Sequence, residues 1–201
     1  MKERYEKLYS KKEINQQIGR LASEITAKYN GDDAEYGDNP LFVALLRGAN
    51  PFASKLMFEI TKQAPDFSPE LDYMTTSRYA DSMTPNPETK IVMDIAPTTE
   101  IEDRNVIIID DVLDMGETAT TVRDHMLALG ARCVELAVLV EKDVPRTTTI
   151  EADYVGFTAP NKWLVGMGMD EGAIKKESFR WDENIYAVDP TVTQPQHALV
   201  K

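Results

Sequence analysis

One cysteine, Cys133, stands in 201 residues, so no intrachain disulfide is possible and a reduced, intracellular setting is expected. No apolar run approaches membrane-spanning length. The first residues, Met1 to Lys7, are charged where a signal peptide would carry an apolar core. Positive charge is scarce: 22 Lys and Arg against 34 Asp and Glu leave a net charge of −12. Nucleic acid is therefore a poor partner, since its phosphates call for a basic patch. Small anionic substrates stay open, because backbone amides, single basic residues and metal ions hold them locally. No internal repeat and no second-domain signal breaks the chain. These absences predict a soluble cytoplasmic protein with no membrane and no nucleic-acid partner. The length suits one domain that buries roughly 70% of its unfolded surface.

What is present is an alternation of strands and helices. Ser10 and Glu13 form a capping box before a helix with Ile14, Ile18, Leu21 and Ile25 on one face, ending near Asn30-Gly31. An acidic loop follows over Asp32–Pro40. Leu41–Leu46 reads as a strand, with Asn50 as N-cap and Pro51 as first residue of the next helix. Leu71–Ser77 is a further strand. From about Ala80 to Arg104 the chain turns polar and proline-containing, with one short strand candidate at Lys90–Ile95, as in a lid or binding loop. Val134–Val140 is another buried strand and Asp153–Phe157 a short one. The tail from Asp189 to Lys201 has little periodicity and is expected to be loosely held. This order predicts an α/β fold with a mainly parallel sheet.

The chemistry concentrates between Asn105 and Ala119. Four β-branched residues, Val106–Ile109, form a strand buried on both faces, and it runs directly into Asp110 and Asp111, with Asp114 three residues on. Three carboxylates at the carboxyl end of such a strand have no packing rationale, and that edge is where open α/β sheets bind ligands. Asp114, Met115, Gly116, Glu117 and Thr118 then open a helix whose first N–H groups lack partners and favour an anion. The inward face of that helix carries Ala119, Val122, Met126 and Leu129, and Gly130 stops it. Strand, acidic pair and anion-binding turn together point to a phosphorylated sugar.

These residues resemble the phosphoribosyl pyrophosphate (PRPP) signature of the type I phosphoribosyltransferases. The Asp just before the phosphate loop is typical of the 6-oxopurine, or hypoxanthine-guanine, branch. The resemblance extends over roughly residues 40 to 188. Leu46-Arg47-Gly48 looks like the pyrophosphate loop, with a cis peptide expected between Leu46 and Arg47. Leu71 to Tyr79 resembles the approach to a mobile active-site loop, and Leu139 to Lys142 a strand end whose lysine reaches the purine. Asp153–Phe157, Pro160–Gly166 and Gly168–Asp170 resemble the base-binding end. By residue type alone, Lys142 reads as a solvated lysine and Trp163 equally as a core aromatic.

The resemblance implies one phosphoribosyltransferase domain over residues 1–188, with a small hood from the N- and C-terminal parts, a mobile loop at about 80–104 and a tail at 189–201. It implies transfer of the 5-phosphoribosyl group from PRPP to hypoxanthine or guanine, with xanthine as a third base, giving the nucleotide and pyrophosphate. Asp114 would take the purine N7 proton. Asp110 and Asp111 would hold the ribose hydroxyls, and Met115, Gly116, Glu117 and Thr118 the 5′-phosphate. Arg47 and Gly48 would face pyrophosphate under a lid bearing Tyr79. Trp163 would stack on the base, Lys142 would meet O6, and the Leu164 carbonyl the exocyclic groups. Magnesium would be the cofactor, with Asp170, Asp110 and Asp111 as its protein partners, and a homodimer or homotetramer is implied.

The chain departs from the pattern inside its phosphate turn. Met115 replaces a Thr or Ser and so removes one hydroxyl donor, and Glu117 adds a negative charge. Arg78 stands where a smaller residue precedes the loop tyrosine. Lys176 falls near a family arginine that contacts pyrophosphate, with Arg180 a less well-aligned substitute. Two other functions share the signature: a regulatory RNA-binding relative, and a non-catalytic PRPP-binding homologue. Asp114, the Lys162–Gly166 segment with Asp170, and the acidic balance disfavour the first.

Overall fold

The apolar runs become the centre of a six-stranded sheet in the computed structural model, which describes residues 4–30, 39–79, 88–146, 148–171 and 179–191, with the backbone alone at 78, 79 and 88. Its strands are β2 (Leu41–Leu46), β3 (Glu70–Tyr79), β4 (Glu88–Met93), β5 (Asn105–Leu113), β6 (Cys133–Lys142) and β7 (Tyr154–Ala159). The spatial order is β4-β3-β2-β5-β6-β7. All neighbours are parallel except β3 and β4. A second, three-stranded antiparallel sheet joins β1 (Tyr5–Tyr9), β9 (Ile185–Val188) and β8 (Trp163–Val165) in the order β1-β9-β8.

Three helices are described: α1 (Lys11–Tyr29), α2 (Asn50–Gln63) and α3 (Glu117–Ala128). The α1 cap forms as expected: the Ser10 amide donates to Glu13 Oε2 at 2.8 Å and the Glu13 amide to Ser10 Oγ at 3.4 Å. The apolar face of α1 is buried through Ile14, Ile18, Leu21 and Ile25, and it packs on α2. The start of α2 differs from expectation by one residue. Ala49 is the N-cap, Asn50 is already helical, and no side chain caps the helix. The chain turns earlier because the Ala49 amide bonds the Leu45 carbonyl at 3.0 Å, so the β2–α2 turn supplies the reversal that an Asn cap would otherwise direct.

The crossovers β2–α2–β3 and β5–α3–β6 run outward from the middle of the sheet in opposite directions. Since such crossovers are right-handed, α2 and α3 must lie on opposite faces. The divergence leaves a crevice at the carboxyl ends of β2 and β5, the topological switch point of the sheet. Those ends carry Arg47-Gly48 and Asp110-Asp111.

The core is continuous from α1 through the sheet to α3. It contains one buried carboxylate far from the crevice: Glu135 accepts from Tyr29 Oη at 2.6 Å and Tyr154 Oη at 3.0 Å, and pairs with Lys28. This ties α1 to β6 and β7. Among the described residues no helix is long and apolar enough to cross a membrane. The strands β1, β8 and β9 were not anticipated; β1 carries two adjacent charged residues, Glu6 and Lys7, and has no fully buried position. The expected acidic loop, the tail and the centre of the expected lid fall largely outside the described residues, at 31–38, 192–201 and 80–87. Because the cap bonds orient the first turn of α1, replacing Ser10 by Ala should cost about 1 kcal/mol in urea unfolding, with the m-value unchanged. An unchanged midpoint would show that tertiary packing alone sets the start of that helix.

Candidate active site

Three chain segments meet at the switch point without room for a side chain between them. The Leu46–Arg47 peptide at the end of β2 is cis, as the pyrophosphate-loop resemblance led us to expect. Gly48 follows. A Cβ there would lie 2.1 Å from Asp111 Oδ2, and a Cβ on Gly168, at φ +105°, would lie 1.7 Å from the Gly48 carbonyl oxygen. Only glycine permits either approach.

Asp110 and Asp111 stand at the carboxyl end of β5, half-buried. Each accepts the next backbone amide: Asp111 N–H to Asp110 Oδ1 and Val112 N–H to Asp111 Oδ1, both at 2.9 Å. Burial pushes the Asp110 carboxyl well above the usual carboxylate range, and the adjacent Asp111 charge adds to it. Burial raises Asp111 as well, against the hydrogen bonds it shares with Asp110 and with the Val112 amide.

Beyond β5 the chain bends through Gly116, at φ +83°, into α3. No side chain caps this helix, and its positive dipole end opens at the acidic end of β5. Asp110, Asp114, Met115, Gly116, Glu117 and Thr118 line a small concavity of about 70 Å³ here. Beside it opens a larger cleft of about 510 Å³, walled by Arg47, Gly48, Asp110, Asp111, Thr118, Asp170 and Arg180. Thr75 and Thr76 from the end of β3 also line it.

Lys142, at the end of β6, is buried and donates to Asp114 Oδ2 at 2.7 Å. It is no solvated lysine. Trp163 is no core aromatic either: it is 55% exposed, and its indole N–H donates to the Asp170 carbonyl at 2.9 Å. Leu164 is buried in β8 opposite Ala187 and lines neither cavity. Arg180, 9% exposed, donates to Asp170 Oδ2 at 2.5 Å and also bonds the Gly168 carbonyl. The family resemblance places it behind Lys176, yet Arg180 lies in the cleft wall. Lys176 and the Tyr79 side chain lie outside the described residues.

The expected site thus gathers Arg47, Gly48, Asp110, Asp111, Asp114, Met115–Thr118, Lys142 and Asp170 around two adjoining cavities, with Trp163 joined through its bond to Asp170. Reading the sequence missed Thr75 and Thr76, whose only signal was the polar interruption of β3. It also missed the loop after β6. There Arg146 donates through Nε to the Asp114 carbonyl at 3.3 Å, and Thr148 through its hydroxyl to the Met115 carbonyl at 3.2 Å.

Residues 4–172 match the family model described as phosphoribosyl transferase domain. The chain is 37% identical over 163 residues to the hypoxanthine-guanine phosphoribosyltransferase of Streptococcus mutans, covering 81% of this chain and 83% of that one. It is equally 37% identical to the bifunctional protein TilS/HprT of Listeria innocua, of whose length it spans 23%. The fold is similar to that of a hypoxanthine phosphoribosyltransferase from Staphylococcus aureus, with a TM-score of 0.78, 28% identity and 94% of each chain covered. A mainly parallel sheet with an acidic pair and a glycine turn at its switch point is the arrangement at which open α/β sheets bind ligands. The chain belongs to the phosphoribosyltransferase family, in its hypoxanthine-guanine branch.

A carboxyl with a raised pKa binds its proton more tightly in the folded chain. The charged Asp110 therefore costs stability above that raised value, and the cost fades as pH falls toward the unfolded value of about 4. In metal-free buffer Asp110→Asn should raise the melting temperature at pH 7.5 by about 2–6 °C, with the gain shrinking toward pH 4. A lower melting temperature at pH 7.5 would contradict the burial cost assigned to this carboxylate.

Proposed function

We propose that the protein is a purine-salvage enzyme that transfers the 5-phosphoribosyl group of PRPP to N9 of hypoxanthine or guanine, releasing pyrophosphate; xanthine is a third candidate base. The observation that carries this reading is the contact between Lys142 and Asp114 at the edge of the phosphate turn. It places a proton acceptor and a hydrogen-bond donor side by side, as the N7–H and O6 edge of a 6-oxopurine requires. The other functions considered, RNA binding and non-catalytic PRPP binding, have no use for that pair.

In this reading the 5′-phosphate sits on the amides of Met115–Thr118 and on the Thr118 hydroxyl. The ribose hydroxyls are held by Asp110 and Asp111. Pyrophosphate leaves along Arg47 and the Gly48 amide, with Arg180 behind it and Tyr79 in the covering lid. The exposed face of Trp163 stacks on the purine, Lys142 donates to O6, and the Leu164 carbonyl meets exocyclic groups. As N9 bonds to the anomeric carbon and the bond to pyrophosphate breaks, the N7 proton passes to Asp114. Lys142 occupies Oδ2 of that carboxylate and fixes its orientation, so Oδ1 is the proton acceptor. Positive charge developing on the ribose faces the carboxylates at the end of β5, and closing the lid excludes water.

The all-oxygen donor set of Asp110, Asp111 and Asp170 suits magnesium. Magnesium keeps several waters and takes the rest of its ligands from one or two carboxylates and substrate phosphates, so these side chains need not form a closed cage. Bound there, magnesium would neutralise charge on the diphosphate. The reading carries with it a cytoplasmic enzyme assembled as a homodimer or homotetramer, and a lid near residues 80–104 in a single domain over residues 1–188.

A spectrophotometric assay with PRPP, magnesium and each of hypoxanthine, guanine, xanthine, adenine and uracil tests the proposal. Nucleotide should form with the 6-oxopurines and not with adenine or uracil; no product from any 6-oxopurine would sink it. Asp114→Asn should lower kcat by about 10²–10³-fold while PRPP affinity stays within about twofold. Wild-type kcat in that variant would remove Asp114 from proton transfer.

A further inference from the structure

The geometry points to Arg146 and Thr148 as positioning residues that aim the phosphate-binding amides, an inference that rests on the 5′-phosphate being bound at the Asp114–Thr118 turn. Neither lies in that turn. Both come from the loop that follows β6, and neither lines the concavity or the cleft.

The two contacts are to successive carbonyls. Arg146 Nε donates to the Asp114 carbonyl at 3.3 Å, while its Nη2 is anchored on Glu141 Oε1 at 2.6 Å. The Thr148 hydroxyl donates to the Met115 carbonyl at 3.2 Å. In a trans peptide the C=O of one residue and the N–H of the next lie in one plane and point in opposite directions. Pinning the Asp114 and Met115 carbonyls to the loop therefore turns the Met115 and Gly116 N–H groups the other way, toward the concavity. Left unpinned, these peptide planes would rotate, and an anion would have to fix them on binding at an entropic cost.

The spacing around Gly116 shows how closely the loop sits. A Cβ on Gly116 would fall 2.3 Å from Thr148 Oγ1 and 2.6 Å from Ile150 Cγ2. The loop fills the space behind the turn, and Arg146 brings a positive charge to the same side.

This brace explains how the turn tolerates its two departures. Met115 supplies no hydroxyl, and Glu117 brings a negative charge into the first turn of α3. With the amides held in place from behind, backbone donors take over the work that a side-chain hydroxyl at position 115 would do. The Thr148 hydroxyl is spent on orienting the turn instead of on touching the ligand.

Thr148→Val, Thr148→Ser and Arg146→Gln test the inference, with melting temperature as the folding control. Thr148→Val should raise the KM for PRPP and the Kd for ribose 5-phosphate about tenfold, the loss of one well-placed hydrogen bond to a charge-binding group. The KM for hypoxanthine and kcat should stay within about twofold, and Thr148→Ser should restore the wild-type values. Arg146→Gln should show the same split, and it carries the comparison if Thr148→Val does not fold. Ribose 5-phosphate affinity within twofold of wild type in both variants would overturn the inference, as would equal losses in every parameter. Absence of turnover in the wild-type protein would count against the enzyme reading alone, because ribose 5-phosphate binding still decides whether the brace exists.

Discussion

The approach of Gly48 to Asp111 on one side and to Gly168 on the other is the constraint on which the site depends. Three segments far apart in sequence meet there: the end of β2 touches the Asp111 carboxylate at the end of β5 on one side and the backbone of the loop after β8 on the other. A methyl group at either glycine would push them apart. The cleft exists because β2 and β5 send their crossovers in opposite directions, and it keeps its narrow shape because two residues have no side chain.

A second theme is how a strongly acidic chain makes room for an anion. Three of the cations around the site are each held by a carboxylate: Lys142 on Asp114, Arg180 on Asp170 and Arg146 on Glu141. In the proposed reading the phosphate is left to main-chain N–H groups at the start of α3, which carry no net charge. Stability is given up where the carboxylates crowd. Burial raises Asp110 and Asp111, so their charged forms weigh against the fold.

Much of this was legible in the residues. Val106–Ile109 read as a two-sided buried strand because an unbroken β-branched run has few other uses, and β5 is the centre of the sheet. The Ser10–Glu13 box marked the start of α1 because capping is local chemistry. The cis peptide at Leu46–Arg47 followed from family resemblance, not from any propensity of those residues. Less legible were elements whose reason lies elsewhere in the chain. The strands β1 and β9 are polar or short, and they form because they pair with each other across more than 170 residues, with Tyr5 opposite Val188. Arg180 looked misplaced by spacing alone, and only its bonds to Asp170 and the Gly168 carbonyl bring it to the cleft wall.

The sequence by itself determined which residues stand together at the end of β5: the acidic pair, the glycine turn and the aspartate before it are contiguous, and contiguous residues keep their mutual geometry through local backbone rules. Tertiary structure alone decided what those residues face. That Lys142 touches Asp114, that Trp163 lies exposed and bonded to Asp170, and that Arg146 and Thr148 hold the phosphate turn from behind all depend on register between strands and on crossover handedness. Those are properties of packing, in which one residue's partner is set by the path of the whole chain and not by its neighbours.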